Sequence, residues 1–152
     1  MIKEARSKDV NEIVKMMKKL YLTWDFDPID KVNKKWFSED AKGFVAKRMR
    51  SKEIKYFVTC DNGKPVGYVL VVVVDRPFCK HNMIGMIDEV FVYPEYRKKG
   101  FGNQLVKESK RWLKSEGIKW CIVLTHSKDH NANAYWDYQG FSDYNRKYKI
   151  RI

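Results

Sequence analysis

The run Arg97-Lys98-Lys99-Gly100-Phe101-Gly102 has the residue types and spacing to hold a phosphorylated anion. It follows a hydrophobic strand-like segment ending at Pro94 and precedes a helix-like one. A helix start leaves backbone N–H groups without intrahelical acceptors and carries partial positive charge, and a pyrophosphate satisfies both. Gly100 and Gly102 let the backbone approach phosphate oxygens with no Cβ between them. Successive N–H groups in such a turn can form an anion-binding concavity, with Arg97, Lys98 and Lys99 supplying charge around it. The spacing is neither Gly-x4-Gly-Lys-Ser/Thr nor Gly-x-Gly-x-x-Gly. The plain alternative is a glycine-rich turn with surface lysines.

A second candidate is Tyr21-Leu22-Thr23-Trp24-Asp25-Phe26-Asp27-Pro28-Ile29-Asp30, where acids alternate with aromatics in an otherwise basic chain. Asp25, Asp27 and Asp30 could bind a cationic amine, with Trp24 and Phe26 giving cation–π contact. A solvated turn whose acids cap the next helix accounts for the same residues. His126 and His130 precede a short helical segment, as a candidate base or as loop histidines. No metal-ligand pattern is present: Cys60, Cys79 and Cys121 are odd in number and widely spaced, which fits a reduced cytoplasmic setting.

The elements that must position these residues follow from periodicity. Met1–Arg6 reads as a strand, with Ser7 as an N-cap. Val10, Ile13, Val14, Met17, Leu20 and Tyr21 recur at helical spacing. A second helical region carries Val32, Trp36, Phe37, Phe44, Val45 and Met49, with Ser38 or Gly43 able to split it. Lys55–Cys60 and Pro65–Val74 read as strands joined by the turn Asp61-Asn62-Gly63-Lys64. Met83–Tyr93 is a third strand of this group. Gly100–Glu116 is a helix closed by Gly117. Lys119–Thr125 is a strand, Asn131–Tyr138 a short helix, and Asp143–Ile152 a final strand. The order predicts an α/β (α+β) fold with a mixed, mostly antiparallel central sheet flanked by helices, as one domain over residues 1–152.

The segment Ile87-Asp88-Glu89-Val90-Phe91-Val92-Tyr93-Pro94-Glu95-Tyr96-Arg97-Lys98-Lys99-Gly100-Phe101-Gly102 resembles the acetyl-CoA motif of the GNAT superfamily of N-acetyltransferases. Ala132-Asn133-Ala134-Tyr135-Trp136-Asp137-Tyr138-Gln139-Gly140-Phe141 is similar to the family's second signature. The resemblance implies a GNAT-like fold and acetyl transfer from acetyl-CoA to a primary amine by direct attack in a ternary complex. Carried over, the backbone of Phe91, Val92 and Tyr93 would pair with the pantetheine arm, and the pyrophosphate would lie on Arg97 to Asn103. The family's usual Asn is replaced by Asp129, which leaves Asn131 as the choice for that contact. Trp136 stands in the cofactor region where many relatives carry a proton-donating Tyr; Tyr135 and Tyr138 flank it, and the resemblance leaves Tyr138 as the named candidate acid, with Tyr135 or solvent as the alternative proton source. The base would be Asp88 or Glu89, which simple strand alternation places on opposite faces. Trp24, Asp25 and Asp27 would contact the acceptor, a polyamine, aminoglycoside, amino-acid-like or peptide amine.

Composition bounds the alternatives. Of 152 residues, 44% are hydrophobic and 33% charged, which fits a globular domain. No apolar run approaches the roughly 20 residues of a membrane-spanning helix, and no signal peptide is expected. The formal charge of +12 attracts polyanions. Its lysines are scattered, whereas a nucleic-acid-binding module would concentrate them on one face with stacking aromatics. The remaining alternative is a non-catalytic acyl-CoA sensor. The final strand is a candidate homodimer contact.

Overall fold

The computed structural model describes residues 1–152. Its elements are β1 (Ile2–Glu4), α1 (Val10–Leu22), α2 (Lys34–Glu39), α3 (Ala41–Arg48), β2 (Ile54–Asp61), β3 (Lys64–Asp75), β4 (Met83–Val92), α4 (Phe101–Ser115), β5 (Cys121–Val123) and α5 (His130–Tyr138). The strands lie in the order β1-β2-β3-β4-β5, with the first four antiparallel and β4–β5 parallel. This is the mixed sheet that the element order predicts.

Each layer follows from a pattern in the chain. Asn62 and Gly63 both adopt positive φ, 46° and 79°, giving the turn whose twist matches a β2–β3 hairpin. Val10, Ile13, Val14, Met17 and Leu20 form the buried stripe of α1, joined by Met16. They pack with Ala41 and Val45 of α3 on one sheet face, against Tyr56, Val58, Tyr68, Leu70 and Phe91. On the opposite face Leu105, Val106 and Leu113 of α4 and Trp136 of α5 cover Phe57, Val69, Val71 and Ile87.

Three expectations fail for identifiable reasons. The helical region after residue 30 divides at Asp40, which closes α2 and opens α3, while Gly43 continues the helix. Ser7 does not cap α1. It lies in a single 3-10 turn held by the Asp9 carboxylate, which accepts from the Arg6 N–H and from Lys3, both at 2.9 Å. Asp143–Ile152 forms no strand. Tyr148 and Ile150 alternate with Lys149 and Arg151 as a strand would, but no neighbouring strand pairs with this segment, and extended backbone gains little without a ladder. Its exposed side chains reach back only at points, as where Arg76 donates to the Tyr144 hydroxyl at 3.4 Å.

Candidate active site

A β-bulge in β4 sets the position of the two carboxylates. Leu70 of β3 lies opposite Glu89 and Val71 lies opposite Ile87, so Asp88 is an extra residue in its strand. The bulge turns both Asp88 and Glu89 toward the α1–α3 side of the sheet, which corrects the opposite faces expected from alternation. Glu89 is 4% exposed and accepts the Tyr21 and Tyr68 hydroxyls, each at 2.8 Å. Asp88 is partly open and lies 3.9 Å from the Arg48 guanidinium. Burial raises the pKa of both acids. Arg48 opposes the rise at Asp88, and the two tyrosine hydroxyls oppose it at Glu89. Burial and Glu89 together push the Tyr21 and Tyr68 hydroxyls far up, keeping them neutral donors.

The bulge also marks where the sheet opens. β4 and β5 pair only from Gly85↔Cys121 to Ile87↔Val123, so beyond Ile87 the β5-facing edge of β4 has no strand beside it. Tyr93 sends its N–H the other way, to the Val66 carbonyl at 3.0 Å. The Val92 carbonyl faces the open side and accepts from Arg97 Nε at 3.0 Å. Phe91 buries its side chain in the α1 core. This edge can pair with an extended, amide-bearing arm.

At the end of that edge lies the cradle. Lys98 and Gly100 both take positive φ, 60° and 86°, and Gly100 caps α4 in the left-handed region that glycine tolerates. None of the N–H groups from Lys98 through Asn103 donates to a backbone or side-chain acceptor. The first to bond back is Gln104, to the Gly100 carbonyl at 3.0 Å. A Cβ at Gly102 would have only Tyr135 within 4 Å, its hydroxyl at 3.3 Å. Lys99 lies over the Tyr96 ring at 5.3 Å, and Asn103 accepts from Gln139 at 2.8 Å, tying α4 to α5. Free donors, an open approach and local positive charge fit the diphosphate of a coenzyme.

The residues before and within α5 divide between structure and site. Asp129 accepts the Ala132 N–H at 3.0 Å as the cap of α5 and the Trp24 indole N–H at 3.3 Å. Asn133 holds the preceding loop through Thr125 and the His126 and Ser127 carbonyls. Asn131 is exposed in the first turn and makes no side-chain bond. Trp136 is buried among the α4 residues with its ring on Phe141. Tyr138 is 77% exposed and points its hydroxyl into no cluster. Replacing Asp129 by Ala removes the cap and the Trp24 partner together. We expect a loss of about 1 to 2 kcal/mol in urea unfolding, with Asn retaining most of the stability.

The loop singled out for its acids uses them internally. Asp27 is 5% exposed; both its oxygens contact the Lys149 ammonium, and it also meets His126 Nε2 at 3.2 Å. Lys149 holds its pKa down at about 2, aided by the Ile29 N–H and His126. Asp30 lies 3.8 Å from the same histidine. Asp25 accepts the Val32 N–H at 2.7 Å. Trp24 is the member that leads to the carboxylates, since its ring meets Tyr21 edge-on at 5.6 Å. Sequence reasoning passed over Tyr21, Arg48 and Tyr68 as partners of the acids. Tyr21 recurs with Met17 and Leu20 at core spacing, and nothing local distinguishes a core tyrosine from one aimed at a buried acid.

Comparison with known proteins converges on one family. The sequence matches the acetyltransferase (GNAT) family over residues 14–141. The uncharacterized N-acetyltransferase MJ1207 of Methanocaldococcus jannaschii is 25% identical over 93% of this chain and 60% of its own length. The chain therefore spans about three fifths of that relative. The uncharacterized N-acetyltransferase YhfO of Bacillus subtilis is 22% identical over 69% of this chain and 70% of its own. Among solved structures, a mutant of the BH1408 protein from Bacillus halodurans superposes with a TM-score of 0.87 at 14% identity, covering 100% of this chain and 99% of that one. The aminoglycoside N-acetyltransferase AAC(6')-Iy in complex with CoA gives 0.77 at 15% identity, over 100% and 98%. With the sheet order, the split between β4 and β5 and the glycine-rich start of α4 already in place, the chain belongs to the GNAT family of acetyltransferases.

Proposed function

We propose that the protein transfers the acetyl group of acetyl-CoA to a primary amine. The observation that carries this is the continuity of three features: a carboxylate pair at a bulge, an open β4 edge, and unbonded N–H groups from Lys98 to Asn103. Acetyl-CoA supplies the acetyl group as a thioester. The β4 edge at Phe91, Val92 and Tyr93 aligns the pantetheine arm through backbone hydrogen bonds, and the α4 start with Arg97, Lys98 and Lys99 holds the diphosphate. Asn131, exposed in the first turn of α5, is the α5 side chain assigned to the cofactor, and Trp136, buried against α4, forms part of the packed wall beside it.

An ammonium has no lone pair, so the acceptor must lose a proton before it attacks. Asp88 is our choice of base. Its carboxylate is partly open, whereas each Glu89 oxygen already receives a tyrosine hydroxyl. Glu89 is then a positioning residue that fixes Tyr21 and, through it, Trp24. Trp24 offers a ring face to a cationic acceptor, while Asp25 and Asp27 shape the loop that carries it. With Tyr138 in solvent and Trp136 in the core, the departing sulfur takes its proton from water. The acceptor is a small-molecule or peptide amine; the AAC(6')-Iy neighbour, also solved with a bisubstrate analog CoA-S-monomethyl-acetylneamine, makes aminoglycosides the first to test. No helix is long and apolar enough to cross a membrane, and the three cysteines are unbridged, which supports a reducing cytoplasmic setting.

The test is thiol release from acetyl-CoA over a panel of amines. Saturable turnover with at least one amine is expected. Tight acetyl-CoA binding without turnover across the panel would instead identify an acyl-CoA sensor, and absence of binding would remove the site.

A further inference from the structure

We propose that Arg48 binds the carboxylate of the acceptor, which makes a free α-amino acid the substrate class of this site. The inference rests on the reading of Asp88 as the base of an acetyl transfer. Arg48 closes α3, and its guanidinium lies 3.9 Å from that base. This is beyond hydrogen-bond distance, and the guanidinium N–H groups donate to no acceptor in the protein. The other acid nearby, Glu89, spends its two oxygens on Tyr21 and Tyr68. The Arg48 side chain is 23% exposed and that of Asp88 27%, so both are open to an incoming molecule yet largely out of water. A guanidinium held there loses hydration and gains no hydrogen bond in return, a cost that a bound anion removes. The helix end does not require it, since the exposed Lys47 already places a cation in the last turn of α3.

The surroundings of the guanidinium hold it in place and leave its donors free. Its central carbon lies over the Phe44 ring, 5.1 Å from the centroid. Trp36 braces Phe44 at 5.3 Å, and Phe37 braces Trp36 at 5.1 Å. An aromatic ring engages the face of a guanidinium and none of its N–H groups, so the fork stays available to a carboxylate through two parallel bonds. The amine nitrogen and carboxylate carbon of an α-amino acid stand about 2.5 Å apart, fixed by the two bonds at Cα. One such molecule can therefore set its amine on Asp88 and its carboxylate on Arg48, each charge meeting its opposite. A peptide N-terminus offers only a neutral carbonyl at that place. A polyamine or aminoglycoside brings further ammonium groups toward a cation, which repels them.

The test follows thiol release from acetyl-CoA with free L-amino acids, each paired with its own C-terminal amide, in wild type and in Arg48→Gln. The amide keeps the amine and the side chain and loses the negative charge. Wild type should turn over at least one amino acid, with kcat/KM above that of its amide by about tenfold or more. Arg48→Gln should lower that acid-to-amide ratio by about tenfold to a hundredfold, mostly through KM, the range for a hydrogen bond to a charged group. Any effect of Arg48 on Asp88 or on the fold acts on both acceptors alike and cancels in the ratio. Arg48→Lys keeps the charge without the fork; its ratio should fall between the two, and it carries the comparison if the Gln variant does not fold. A ratio unchanged from wild type in a folded variant means that Arg48 serves Asp88 alone, and overturns the proposal. Turnover confined to amines without a carboxylate also overturns it and leaves acetyl transfer standing. No turnover with any amine, beside normal acetyl-CoA binding, removes acetyl transfer itself and this inference with it.

Discussion

Asp88→Asn should lower kcat about 100- to 10,000-fold while leaving acetyl-CoA binding nearly unchanged. The amide keeps the shape of the carboxylate but cannot accept the acceptor's proton. The pH profile separates this from a structural effect. Burial raises the Asp88 pKa, so wild-type activity should fall as pH drops through a value above the ordinary Asp one. The Asn variant should lose that limb and keep only the rise due to deprotonation of the amine. Glu89 behaves differently. Its raised pKa means that the fold favours the protonated acid, a contribution present below the ordinary Glu value and lost as pH rises through the raised one. Glu89→Gln, always neutral, should flatten the dependence of Tm on pH across that window. Glu89→Ala leaves the Tyr21 and Tyr68 hydroxyls without their acceptor and should cost about 1 to 3 kcal/mol for each. A Glu89→Gln variant as inactive as Asp88→Asn, with the same lost limb, would move the base to Glu89.

Gly102→Val should raise the Kd for coenzyme A by at least about thirtyfold with little loss of fold stability. At this position the backbone is helical and nothing but the Tyr135 ring tip approaches a Cβ, so the first carbon is accommodated with a small shift. Its branches then project over the N–H groups that the diphosphate needs. A bulky group there excludes phosphate oxygens from hydrogen-bond distance, and each lost charge-assisted bond is worth about 1.5 to 3 kcal/mol. Calorimetric titration with coenzyme A, checked by circular dichroism, gives the result. Unaltered affinity would put the diphosphate elsewhere.

Much of the fold was legible because single periodicities dominate it. The stripe Val10-Ile13-Val14-Met17-Leu20, the Asn-Gly turn and the helix from Phe101 to Ser115 each carry their own signal. The glycine-rich turn before α4 was visible by residue type, and its positive φ at Gly100 and unbonded N–H groups agree with the anion site proposed there as well as its charge does. The bulge at Asp88 was not. Alternation counts residues, and an inserted residue shifts every face after it without altering the composition of the strand. The roles of Asp25 and Asp27 were hidden for another reason: the partner of Asp27 is Lys149, at the far end of the chain. The last segment misled in the opposite sense. Its alternation is real, but strand formation depends on a neighbour that the local sequence does not describe.

The central claim is that the free N–H groups at the start of α4 receive the coenzyme. Amide hydrogen exchange with and without coenzyme A measures those groups directly. Slower exchange is expected at Lys98 to Asn103 and along the open β4 edge at Val90 and Val92, with β1 and β2 unchanged. Protection confined to other segments, or none at saturating coenzyme A, would contradict the account.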